Sequence, residues 1–237
     1  MGMFSKGAAI AMVLLVSQTC AIAANAVAGP DEFSGIWLAE RSISSLRAVD
    51  GSAPPLTPEG RAAYQAVASG LKSAKIQDLT RKYCLPDGVP RLLTARYPFE
   101  IVQTPGQVTF IHEARHVYRA LPVGGPPLDP NLLIENYMGN ANARWEGKVL
   151  VIESIAFNGE TWLDDSGLQH SDELQTLERW QTLAGGRRLQ VDVTISDSRY
   201  YQKPWTTRMT FAKKDDVGIV EYACGEQHRN FSGKAGK

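Results

Sequence analysis

Apolar and polar positions alternate with a period of two through most of the second half of the chain, which predicts strands rather than helices. "FEIVQTPGQVTFIHE" (99–113) divides into two strand-like runs at Thr104-Pro105-Gly106, and "RWEGKVLVIESIAF" (144–157) turns at Glu146-Gly147-Lys148. "LERWQTLAGGRRLQVDVTI" (177–195) turns at Gly185-Gly186, and "RMTFAKKDDVGIVEYAC" (208–224) turns at Lys214-Asp215-Asp216. With "FSGIWLAE" (33–40) these runs make about eight to ten strands joined as successive hairpins. That is the range in which an antiparallel meander closes into a barrel that holds side chains or one small ligand. The fold class expected is mainly β, a lipocalin- or calycin-like barrel with one short surface helix near residues 58–70. Thr57 caps that helix, Pro58 opens it, Glu59 sits in its first turn, and "RAAYQAVASGLKSA" follows with an apolar stripe of Ala62, Ala63, Ala66 and Val67.

The opening stretch breaks the pattern. Lys6 precedes an apolar run from Gly7 to Val16, followed by small residues with A-x-A endings between Ala21 and Ala28. Residues 1–28 read as a cleavable secretory signal, and the run is too short for a stable membrane anchor. The mature chain is expected to start between Ala24 and Gly29, with 29–237 forming one barrel-like domain in the periplasm or outside the cell. Cys20 leaves with the signal, so Cys84 and Cys224 remain in an oxidising compartment and are expected to pair, tying a loop to the last strand. No C-x-x-C pair is present, which makes the bridge structural. With formal net charge zero over 237 residues and 43% hydrophobic residues, the chain suits a globular domain. A pI near 6.9 disfavours nucleic acid and anionic lipid as partners.

His112-Glu113-Ala114-Arg115-His116 matches H-E-x-x-H, with Glu135 at a distance where some zinc peptidases supply a third ligand. That chemistry needs a helix to bring His112 and His116 to one face, whereas the segment follows a Pro-Gly turn and is rich in strand formers. A zinc hydrolase is therefore the remote reading, and no cofactor is expected. Strand alternation places Val108, Phe110 and His112 on one face.

"FNGETWLDDSGLQHSDELQTLERW" (157–180) carries the densest mixture of chemistry-bearing groups. His170, oriented by Asp164 or Asp172, is a candidate acid/base, with Glu178 as a further catalytic candidate and Asn158 and Trp162 beside them. Equally, Asp165-Ser166-Gly167 is a turn, Ser171 or Asp172 a cap, and Glu178-Arg179 an ion pair on a strand. Arg91 and Arg96 flank "LLTA" and could grip a carboxylate, although such arginines are more often solvated or paired. His228 falls in a polar tail.

"FSGIW", "PPLTPEG", "CLPDGVPRLL", "YPFEIVQTPG", "RWEGKVLVIESIAFNGETWLD", "HSDELQTLERW", "KPWTTRMTF" and "EYACGE" together resemble a large family of exported bacterial proteins that has no settled function. The likeness runs from Phe33 to Glu226. It implies that the Trp-Leu-Asp and His-Ser-Asp motifs, Trp162 to Asp172 here, form the region of interest. Relatives read Tyr-x-Cys-His-Glu-Gly near the end, where this chain has Tyr222-Ala223-Cys224-Gly225-Glu226, and they carry no metallopeptidase motif at 112–116. Gly35-Ile36-Trp37 is similar to the glycine-x-tryptophan start of lipocalins, which implies a cup-shaped interior.

Two functions are expected from these readings. The first is an exported carrier or sensor that binds a small apolar molecule in a pocket lined by Trp145, Trp162, Trp180, Trp205, Tyr137 and Asn158. The second is a metal-independent hydrolase, isomerase or cyclase working through His170 and an aspartate.

Overall fold

The computed structural model describes residues 33–224; the signal-peptide reading, Glu226 and His228 lie outside them. Among the described residues are nine strands: β1 Gly35–Ala39, β2 Phe99–Thr104, β3 Gln107–His112, β4 Tyr118–Pro122, β5 Asn140–Glu146, β6 Val149–Ile155, β7 Gln175–Leu183, β8 Arg188–Ser196 and β9 Trp205–Lys214. Their order in the sheet is β4-β3-β2-β1-β9-β8-β7-β6-β5, and every neighbouring pair is antiparallel. The expected meander is present, curled so that its first and last strands pair over Ile36–Ala39 and Phe211–Lys214.

An odd strand count explains where the ring stays open. Antiparallel pairing from β1 to β4 and from β9 back to β5 leaves β4 and β5 running in the same sense. Parallel neighbours need a crossover instead of a hairpin, and residues 123–139 supply it. One parallel bridge joins the two edges, Val123 with Ala143, backed by the Gly124 amide donating to the Ala143 carbonyl (2.8 Å). The crossover then follows β5, where Asn142 donates to the Pro126 carbonyl (3.1 Å) and Asn140 to the Ile134 carbonyl (2.8 Å). The result is a nearly closed barrel with a seam.

A buried ion pair spans that seam from inside. Arg119 on β4 donates to both carboxylate oxygens of Glu178 on β7 (2.6 and 3.1 Å), and the Trp180 indole donates to the same carboxylate (2.9 Å). Of the two strands between them, β5 presents the small Ala141 and Ala143 opposite Ser154 and Ile152 of β6, which leaves room for the guanidinium to cross. Both charges are buried, and only such full mutual satisfaction makes burial tolerable.

The rest of the interior is packed. Trp37 is fully buried, and Phe99, Phe110, Trp180 and Phe211, all at most 2% exposed, contact one another edge-on, tilted or stacked. Val108, Phe110 and His112 share the inner face as alternation predicts.

α1 (Pro58–Lys72) begins as read, with Thr57 accepting from the Gly60 amide (3.0 Å), a cap worth about 1 kcal/mol. Its packed face differs from the alanine stripe: Gly60, Val67 and Gly70 are buried, whereas Ala62 and Ala66 are exposed. Close approach is the reason, since a Cβ on Gly60 would lie 2.3 Å from the Tyr200 carbonyl oxygen. Two further short helices, α2 (Leu79–Tyr83) and α3 (Arg91–Thr94), lack any periodic signature. The segment after β9, read as a strand, is a correction: residues 217–223 join no sheet. β1 already occupies the edge of β9, so this segment docks instead on the β3–β4 turn, where Val220 and Tyr222 donate backbone amides to Glu113 (3.1 Å) and His116 Nε2 (2.6 Å). Cys84 and Cys224 are bonded, with Cα atoms 5.9 Å apart.

Candidate functional site

Strand direction sorts the connections by end. Tight turns at 105–106, 147–148 and 184–187 lie at one end of the barrel. The long connections 40–98, 113–117, 156–174 and 197–204 all lie at the other and form its lid.

Within the lid, His170 is a pinned and buried imidazole. Its Nδ1 lies 2.8 Å from the Ser171 carbonyl, which can only accept, so Nδ1 carries the hydrogen and Nε2 accepts from the Thr161 hydroxyl (2.8 Å). Burial pushes its pKa down, against the opposing pull of the Ser171 carbonyl and the Asp197 charge. The residues expected to orient it serve elsewhere. Asp164 accepts from the amides of Leu46 (2.8 Å), Ser166 (2.9 Å) and Leu168 (3.3 Å) and from the Ser166 hydroxyl (2.6 Å). Asp172 is exposed, and the carboxylate bound to Ser171 through both amide and hydroxyl is Asp197 (2.6 and 3.0 Å). Glu178 is inside the barrel. His170, Asp164, Asp172 and Glu178 are thus not brought together, because each carboxylate is spent on a turn, on the seam or on solvent.

The six residues expected around one apolar pocket are also dispersed. Trp180 is in the core; Trp145 meets Phe33 edge-on (5.1 Å); Trp205 tilts against Tyr201 (5.6 Å). Trp162 lies under the Arg91 guanidinium (5.6 Å), Tyr137 pairs with Glu160, and Asn158 accepts the Glu160 amide (3.2 Å). Core packing takes Trp180 and Trp205, with Trp145 partly buried against that core, whereas Trp162 and Tyr137 lie on the connections.

The H-E-x-x-H stretch is a strand end and a strained turn, as strand alternation implied, and not the helix that the remote zinc reading needs. His112 stacks on Phe99 (5.1 Å) inside the barrel and has an unpartnered Nε2; His116 is exposed and accepts the Tyr222 amide. Glu135 is exposed on the crossover. Arg115 (φ 60°) and His116 (φ 50°) both adopt left-handed backbone, a conformation that costs non-glycine residues roughly 1–2 kcal/mol each. Arg115 lines a cleft.

That cleft, of about 470 Å³, opens in the lid between α3, the β3–β4 turn and the C-terminal segment. Its floor is a network that sequence spacing did not suggest. Arg91, 4% exposed, donates to Asp78, to Asp165 (2.9 and 3.0 Å) and to the Thr80 hydroxyl (3.0 Å). Burial alone would raise the Asp78 pKa, but the bonds and charge of Arg91 outweigh it and hold the carboxyl below its ordinary value. Arg115 donates to the Tyr222 hydroxyl (3.0 Å) and Cys224 Sγ (3.1 Å) and lies 3.4 Å from Asp87. Arg96 stands exposed at the rim, its Nε donating to Ser42 (2.9 Å), with Ala95, Tyr97, Ala114 and Tyr222 giving apolar wall. Of the residues singled out from sequence, Arg91 and Arg96 do meet here.

No family model matches the chain, and no curated protein matches it. Among solved structures, a protein described as "REP1-NXSQ fatty acid transporter" is similar over 78% of this chain and 98% of its own, at 8% identity and a TM-score of 0.40.

Proposed function

We propose that this chain is an exported small-molecule binding protein, a carrier or sensor, that takes its ligand in the lid cleft and not in the barrel. One observation carries the reading: a cleft of about 470 Å³ is assembled from separate connections at one end of a filled barrel, with tyrosine and alanine walls over a guanidinium floor. A scaffold with rigid strands and a composite cleft on its loops is the usual arrangement for a binding site. The mixed lining suits a molecule with an apolar body and a polar or charged group. Catalysis through His170 is the weaker reading, since both ring nitrogens are occupied by the chain itself.

The test is native mass spectrometry of the mature protein from the exported fraction, in wild type and in Ala95→Trp, which fills the cleft. A bound organic mass in wild type that Ala95→Trp loses without change in circular dichroism supports the site. An adduct that survives the substitution, or a wild type that neither carries an adduct nor gains thermal stability from any compound in a metabolite panel, refutes it. The same spectra give the mature N-terminus, expected between Ala24 and Gly29.

A further inference from the structure

Ten of the fourteen arginines among the described residues lie within salt-bridge distance of a carboxylate. The remaining four, Arg41, Arg47, Arg61 and Arg96, do not, and they are not scattered. Arg96 lines the 470 Å³ cleft; Arg41 and Arg47 line a second of about 570 Å³; Arg47 and Arg61 line a third of about 280 Å³. The first two clefts share Ser42, and the second and third share Ser45 and Arg47. The three clefts therefore adjoin along the segment 41–47, "RSISSLR", whose residues line all of them, a groove in three parts.

The segment is held in place although it has no regular structure. Leu46 is 1% exposed and its amide donates to the buried Asp164 (2.8 Å); the Glu40 and Val49 amides on either side donate to the Thr210 (3.0 Å) and Thr206 (2.9 Å) carbonyls of β9. Between these pins Arg41, Ser42, Ser44, Ser45 and Arg47 all face outward. Asp164 thus serves the groove as the anchor of its wall. At the rim, Ser42 takes the Nε–H of Arg96, and no hydrogen bond to the described residues engages the paired terminal N–H groups of the fork. In a protein of net charge zero that pairs its other described arginines, four unneutralised guanidiniums on one pinned groove form a local positive site.

We propose that the ligand is an elongated small molecule with an anionic group, carboxylate or phosphate, near each end, which lies along 41–47 with one end at Arg96 and the other between Arg47 and Arg61. This rests on the lid-cleft reading and names its ligand class. Charge-assisted hydrogen bonds to a guanidinium contribute about 1.5–3 kcal/mol each, so a second anchored end is expected to tighten binding at least about tenfold.

The experiment is a nuclear magnetic resonance titration of the whole mature chain with aliphatic α,ω-dicarboxylates of four to twelve carbons, with octanoate and 1,8-octanediol as singly charged and uncharged comparisons. Expected are an optimum chain length, affinity for that diacid at least about tenfold above octanoate, shifts in the amides of 41–47 and 94–97, and weakening with added salt. Arg96→Gln and Arg47→Gln, both at exposed positions, should each reduce the diacid to the level of octanoate with the remaining spectrum unchanged. Octanediol binding as tightly as the diacid, or either variant retaining full affinity, overturns the proposal while the cleft stands. Shifts confined to 94–97 and 115 do the same. If octanoate, octanediol and every diacid all leave the cleft amides unmoved, the cleft reading fails together with it. Duplex DNA moving the same amides with greater affinity than any diacid would also overturn it.

Discussion

The charged groups inside the barrel and those on its lid face opposite physical demands. Arg119 and Glu178 are desolvated, bound to each other through two hydrogen bonds, and closed off from any ligand by the aromatic core. Arg96 and its groove neighbours are exposed, lie within salt-bridge distance of no carboxylate among the described residues, and sit on a surface pinned by others. Arg91 and Arg115 lie between these extremes as scaffold beneath the cleft. Burial together with complete partners assigns a charge to stability; exposure on a fixed backbone with donors to spare leaves it available for binding.

The largest effect is expected in the barrel. Glu178→Leu should cost about 3–5 kcal/mol in urea unfolding, because it strands the Arg119 guanidinium in the core. The double variant Arg119→Met with Glu178→Leu should recover most of that loss; if it does not, the pair closes the seam in a way that apolar packing cannot replace. Next is the strap on the lid. The Cys84–Cys224 bridge closes a span of 140 residues, and Cys224→Ser should lower stability by roughly 2–5 kcal/mol while loosening Tyr222 from the cleft, read as faster amide exchange at 220 and 222.

Acid should then act on the interior. Burial first, and the nearby Arg119 charge second, push the His112 pKa to about 3 from the 6.5 of a free imidazole. A histidine depressed in the folded state is charged more readily when unfolded, so its contribution is complete above pH 6.5 and declines as pH falls toward 3. The slope is about 1.4 kcal/mol per pH unit for each such group, and His170 shifts in the same direction. Urea midpoints at pH 7, 6 and 5 should fall in wild type and fall less steeply in His112→Phe, which also removes an unpartnered nitrogen. The smallest effect is at the groove: Arg96→Gln should change stability by less than about 0.5 kcal/mol while reducing diacid affinity to the level of octanoate. A large loss of stability there would dissolve the distinction between the two kinds of charge.

Much of the barrel was legible in advance, because hairpin turns at Gly106, Gly147 and Gly185 and period-two alternation are local signals that each strand carries in its own residues. β4 was harder to see, since it begins after a strained turn at Arg115-His116 that reads as part of a longer strand. Where the candidate site residues would lie was hidden for a related reason. Residues 157–180 look chemically rich, but Asp164, His170, Ser171 and Glu178 satisfy backbone amides, a hydroxyl, a neighbouring aspartate and an arginine distant in sequence. A sequence displays which groups can react and conceals which of them are already spent.

By itself the sequence determined the strand pattern, the capped helix at Thr57 and the two cysteines available to pair, all of which depend on residues close together or on simple counting. The tertiary structure alone decided that β4 and β5 meet in parallel, that Arg119 finds Glu178, and that Arg41, Arg47, Arg61 and Arg96 share a groove. These depend on contacts across long stretches of chain, where the energy of a charge is set by its surroundings in space and not by its neighbours in sequence.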